Sequence, residues 1–143
     1  MAKNPVTSTA MNSKKYYIVD DDAEDRDLLM EALYSIDKAG QCFTAKNGEE
    51  GLRKLAEDLI PVPDFIFLDL NMPRLNGKQF LIEIKKIERF SHIPVVIYTT
   101  SSDATAREEM KRLGALYYIT KPDGFDEICN ALLSVFSLEK AAV

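Results

Sequence analysis

The chain has 143 residues, 46% of them apolar and 29% charged, which suits one ordinary domain with a single buried core and excludes a disordered or fibrous chain. Eighteen Lys and Arg against 23 Asp and Glu give a formal net charge of −5, which argues against a domain that grips nucleic acid or an anionic membrane through its overall charge. One histidine, His92, excludes a His-rich metal site, and two cysteines, Cys42 and Cys129, cannot form a disulfide framework, so a reducing cytoplasm is the expected compartment.

Residues 1–13 carry Lys3 but no apolar run after it, so no secretory signal is read, and their aperiodic Asn, Ser, Thr and Ala content predicts a flexible tail. From residue 14 to residue 140 strand-like and helix-like segments alternate. Tyr16-Tyr17-Ile18-Val19 predicts a strand, followed by Asp20, Asp21 and Asp22. Leu28, Leu29, Leu33 and Ile36 then fall at helical spacing, with Gly40 as the expected residue just past the helix end. Gln41 to Ala45 is a weaker strand of mixed polarity. Asn47-Gly48 is a turn, and Leu52, Leu55, Ala56 and Leu59 mark a second helix that Pro61 and Pro63 should end.

Phe65-Ile66-Phe67-Leu68 is a wholly apolar third strand, far too short to span a bilayer. Phe80, Leu81, Ile84 and Ile87 mark the third helix. Val95 to Tyr98 form a fourth strand, and Asp103 is a plausible cap for a helix through Ala106, Met110 and Leu113 that Gly114 ends. Leu116 to Ile119 form a fifth strand, and Phe125, Ile128, Leu132, Leu133 and Phe136 mark the last helix. Five such units, with continuous apolar strands between amphipathic helices, predict an α/β fold with a doubly wound five-stranded parallel sheet. The flavodoxin-like order 2-1-3-4-5 puts the weak second strand at an edge.

In such a sheet ligands bind beyond the carboxyl ends of the strands, near the point where strand order reverses. Asp20 and Asp21 follow strand one, Asp69 follows strand three, Thr99 ends strand four and Lys121 follows strand five. Three carboxylates in one pocket repel one another unless a cation lies among them. Oxygen-only ligands favour a hard ion such as Mg²⁺. With a lysine and a hydroxyl opposite, the set forms a cradle for a phosphoryl group carried by an aspartate, whose carboxylate needs no general base.

The acidic pair, the lone Asp in Leu68-Asp69-Leu70-Asn71-Met72-Pro73, Thr99 and the Lys121-Pro122 dipeptide resemble the receiver domain of bacterial two-component response regulators, over about Lys14 to Leu138. The resemblance implies that Asp69 accepts the phosphoryl group, Asp21 ligates Mg²⁺ directly, Asp20 acts on it through water, and Asn71 offers a backbone carbonyl. It implies a switch hydroxyl in Thr99, a phosphoryl-binding lysine in Lys121 with a cis bond to Pro122, and a turn glycine in Gly77. Tyr118 fits a switch position and a core tyrosine equally. Pro73 to Gly77, Thr99 to Ser102 and Lys121 to Phe125 resemble the standalone receivers that partner phytochrome-type kinases. The implied partners are a histidine kinase or histidine phosphotransfer protein and an unknown output protein. A phosphorylation-dependent homodimer fits too, and neither nucleic acid nor membrane is expected.

Asp22, Glu24, Asp25 and Asp27 read as a solvated start of helix one that complements its dipole. Three rival functions have poorer support. A flavodoxin needs a phosphate loop where this chain has three aspartates. A haloacid-dehalogenase phosphohydrolase needs its nucleophile after strand one. A degenerate receiver acting only as a protein-binding module would not need the complete site.

Overall fold

The computed structural model describes residues 13–141. Five strands alternate with five helices: β1 (Lys15–Val19), α1 (Ala23–Ile36), β2 (Gln41–Ala45), α2 (Gly48–Ala56), β3 (Phe65–Leu68), α3 (Gly77–Lys85), β4 (Val95–Thr99), α4 (Ala104–Arg112), β5 (Tyr117–Thr120) and α5 (Phe125–Ala141). The sheet is parallel throughout and runs β2-β1-β3-β4-β5, the predicted flavodoxin-like order. Apart from Ser13, the predicted tail lies outside the described residues.

The central strands β3 and β4 are buried along their whole length, which is why they read as unbroken apolar runs. The pleat divides their side chains between two cores. Tyr16, Ile18, Phe65, Phe67, Val96 and Tyr98 pack with Leu29 and Leu33 of α1 and Ile128 and Leu132 of α5. Tyr17, Val19, Ile66, Leu68, Val95 and Ile97 pack with Leu55 of α2, Phe80 and Ile84 of α3, and Met110 of α4. Each fully buried Leu or Ile contributes about 1.5–3 kcal/mol of transfer free energy.

Helix starts follow local chemistry. Asp22, Asn47, Asn76 and Asp103 each accept a backbone N–H from the first turn of α1, α2, α3 and α4 respectively. Asn76 and Gln79 complete a reciprocal capping box. Gly114 follows α4 with φ +107°, the left-handed exit its sequence position predicts.

Two helix ends differ from expectation. α1 stops at Ile36 with Asp37 as its cap, so Gly40 lies beyond the helix end, and its N–H donates to the Asp37 carbonyl. α2 stops at Ala56, before either proline. Asp58 takes φ +55°, and Leu59, counted on the helix by spacing, is 56% exposed. Leu28 and Leu133 are also exposed, while Cys42 and Cys129 are half-buried.

Candidate functional site

Parallel pairing brings the carboxyl ends of β1, β3, β4 and β5 to one edge of the sheet, with Val19 beside Leu68 and Thr99 beside Thr120. Backbone bonds continue the ladder into the loops. Asp20 N–H donates to the Ala45 carbonyl, Asp69 N–H to the Val19 carbonyl and Lys121 N–H to the Thr99 carbonyl. Asp20, Asp69 and Lys121 are therefore held by the sheet and not by mobile loops.

Asp20, Asp21 and Asp69 each offer a carboxylate oxygen within 4.8 Å of the others. Asp20 and Asp69 are buried, whereas Asp21 is exposed. Asp20 Oδ1 accepts the Asp22 N–H at 2.9 Å, and Asp20 Oδ2 lies 2.9 Å from Lys121 Nζ. Burial and the neighbouring Asp20 charge raise the Asp69 carboxyl to about 6, although Lys121 and the Asn71 N–H favour its charged form. Burial also raises Asp20, against the Asp22 N–H and Lys121. Burial alone would lower Lys121, but the contacts to Asp25 and Asp20 and the charge on Asp69 outweigh it and hold the ammonium above the ordinary lysine value. This excess of buried negative charge fits a divalent cation, because a cation among the three carboxylates would remove their mutual repulsion.

Thr99 is fully buried at the end of β4, and its Oγ1 forms no hydrogen bond. A buried hydroxyl without a partner costs about 1–3 kcal/mol and is a donor awaiting an acceptor. Tyr118 lies half-buried on β5, packed on the same core face as Ile97 and Met110. Its hydroxyl donates to the Ser101 carbonyl at 2.8 Å, and the Arg107 guanidinium covers its ring at 4.4 Å. Asn71 is exposed in the loop after β3. Gly77 presses on that loop: a Cβ there would stand 2.3 Å from the Asp69 carbonyl oxygen and 2.7 Å from Leu70 Cα.

Two expectations are corrected. The described chain contains no cis peptide bond, so the Lys121–Pro122 bond is trans. Asp25 is not merely a solvated helix-start acid, because its Oδ2 lies 2.7 Å from Lys121 Nζ, closer than Asp20. The usable signal was position: Asp25 stands in the first turn of the helix that leaves β1 beside Asp20. Arg26 was also passed over, and its Nη1 donates to the Asp20 carbonyl at 2.8 Å.

The model of the response regulator receiver domain matches residues 17–133. This chain belongs to that family. The receiver is similar in structure to the phosphorylated cyanobacterial phytochrome response regulator RcpA, with TM-score 0.79 and 29% identity over 86% of this chain and 91% of that one. It is also similar to the Mn(2+)-bound form of response regulator Rcp1, with TM-score 0.75 and 27% identity over 82% of this chain and 90% of that one. In sequence it is 38% identical over 109 residues to the protein-glutamate methylesterase/protein-glutamine glutaminase of Bacillus licheniformis, covering 75% of this chain and 29% of that protein. The receiver thus spans less than a third of the curated relatives it matches. Among its described residues no helix is long and apolar enough to cross a membrane.

Proposed function

We propose that this receiver accepts a phosphoryl group on Asp69 from a histidine kinase or histidine phosphotransfer protein and signals through phosphorylation-dependent protein contacts in the cytoplasm. The observation that carries this reading is the buried Asp69, gathered with Asp20 and Asp21 and facing one buried ammonium and one unpartnered hydroxyl. With its carboxyl near 6, Asp69 is mostly ionised at neutral pH and is the nucleophile. Its oxygen attacks phosphorus in line with the donor. The bond from phosphorus to the donor nitrogen breaks, and the imidazole leaves with the electron pair.

Mg²⁺, bound by Asp20, Asp21, Asp69 and the Asn71 carbonyl, would neutralise charge on the transferring group. Asp21 is the better direct ligand, because it is exposed while both Asp20 oxygens are engaged. Thr99 Oγ1 donates to one phosphoryl oxygen and Lys121 pairs with another. Tyr118 relays the resulting movement of the β4–α4 loop through its bond to Ser101. The receiver then catalyses only its own phosphorylation and dephosphorylation, and a phosphorylation-dependent homodimer is one form its output could take.

Intact-mass spectrometry after incubation with Mg²⁺ and a small phosphodonor tests the reading. Wild type should gain one phosphoryl group, about 80 Da, and chelation of Mg²⁺ should abolish the gain. The same gain on Asp69→Asn would overturn the assignment.

A further inference from the structure

Lys121 supplies the positive charge of the site, yet its ammonium does not rest on Asp69. Nζ lies 2.7 Å from Asp25 Oδ2, 2.9 Å from Asp20 Oδ2 and 3.8 Å from Asp69 Oδ2. The lysine side chain is 8% exposed, so it needs charged acceptors close by. The shortest of its contacts joins residues 96 positions apart. Asp25 is held in place by the helix start, since its N–H donates to the Asp22 cap at 3.0 Å. Within residues 20–27 the ion pairs of Lys121 are with Asp20 and Asp25: Asp22 caps α1, and Asp21, Glu24 and Asp27 are exposed.

We propose that Asp25 is a positioning residue that tethers Lys121 away from the acceptor in the resting protein, so that a phosphoryl group on Asp69 must compete with Asp25 for the ammonium. This rests on the phosphoacceptor reading and deepens it. Asp25 touches none of the reacting atoms. Its charge stabilises the resting position of Lys121, and removing that charge frees the ammonium for the phosphoryl oxygens. The carboxylates that would hold the cation, Asp20, Asp21 and Asp69, stay in place.

Three variants separate the tether from general electrostatics. Asp25→Asn keeps the shape and removes the charge, and Asp25→Glu keeps the charge. Glu24→Gln removes a neighbouring charge from the same helix start without touching Lys121. Calorimetric titration should give Asp25→Asn a beryllofluoride affinity about twofold to fivefold above wild type, the range for a partly exposed ion pair. Its Mg²⁺ affinity should stay close to that of wild type, and Asp25→Glu and Glu24→Gln should match wild type for beryllofluoride. Unchanged or weaker beryllofluoride binding by Asp25→Asn, or equal tightening by Glu24→Gln, overturns the proposal.

A thermal double-mutant cycle of Asp25→Asn with Lys121→Met, run without metal or phosphoryl mimic, reads the contact itself. Non-additive melting shifts support the tether. Additive shifts in a protein that still takes a phosphoryl group defeat the tether alone. A wild-type protein that neither gains mass from a phosphodonor nor binds beryllofluoride defeats the phosphoacceptor reading, and the proposed competition with it.

Discussion

Asp69 ionises against resistance from its surroundings, chiefly burial and then the Asp20 charge. Its folded-state carboxyl is raised from 3.8 to about 6, so the folded protein holds that proton more tightly than the unfolded chain does. The stability this contributes is complete below the unfolded value and is lost as pH rises through about 6. For a shift of about two units the loss is at most about 3 kcal/mol. Asp69→Asn should therefore melt several degrees above wild type at pH 7.5 in chelator, and the gap should close at pH 4. Thermal denaturation at the two pH values checks this, and equal melting temperatures at pH 7.5 would contradict it. At this scale most of the site was legible, because an acid directly after four buried apolar residues has no structural reason to be there. Asp25 was misread because a helix-start acid and a lysine partner have the same one-dimensional context. Only the path of the Lys121 stem across the sheet edge distinguishes them.

The loop between β3 and α3 is fixed from both sides. Arg74 and Leu75 both adopt positive φ, at +52° and +81°, a costly conformation for residues with side chains. Their carbonyls accept the Glu49 and Gly48 N–H groups at 3.0 Å, which satisfies two of the donors that the start of α2 would otherwise leave unpaired. Gly77 closes the loop from the other side, with no room for a Cβ against Asp69 and Leu70. Gly77→Ala should lose about 1–3 kcal/mol of stability by overpacking and should slow phosphorylation from a small donor by moving the Asp69 backbone. Urea unfolding together with the mass-gain rate measures both, and a variant with wild-type values for each would show that the loop yields without consequence. At this scale strands were easier to read than helix ends. β3 and β4 announce themselves by composition, whereas α2 ends five residues before Pro61 through the left-handed turn at Asp58, which no strong breaker marks.

The sheet separates two cores, and the proposed relay uses only one of them. Thr99, Ile97 and Tyr118 lie on the face covered by α4, and α4 has a single buried residue, Met110. It is otherwise steadied by the Lys78–Glu109 ion pair at 2.6 Å and by Arg107 over the Tyr118 ring. A helix so lightly packed opens readily and responds to small changes at its base. Beryllofluoride with Mg²⁺ should therefore change amide hydrogen exchange over residues 100–120 in wild type. Thr99→Ala should keep the mimic but lose most of that change, and Tyr118→Phe, which deletes the bond to Ser101, should weaken it. A full wild-type response in both variants would route the signal through Lys121 alone. Strand order and a sheet covered on both faces were legible at this scale, because unbroken apolar strands alternate with amphipathic helices and β2 alone is of mixed polarity. The light anchoring of α4 was not, since a polar helix reads the same whether its ion pairs form or not. That anchoring also bears on how such a molecule diversifies. Where a helix buries a single side chain, most of its exposed positions can be exchanged with little penalty in stability. Duplicated copies are then free to drift apart in whom they address while keeping the same phosphoryl chemistry. Their sequences should differ most along α4 and least around Asp69.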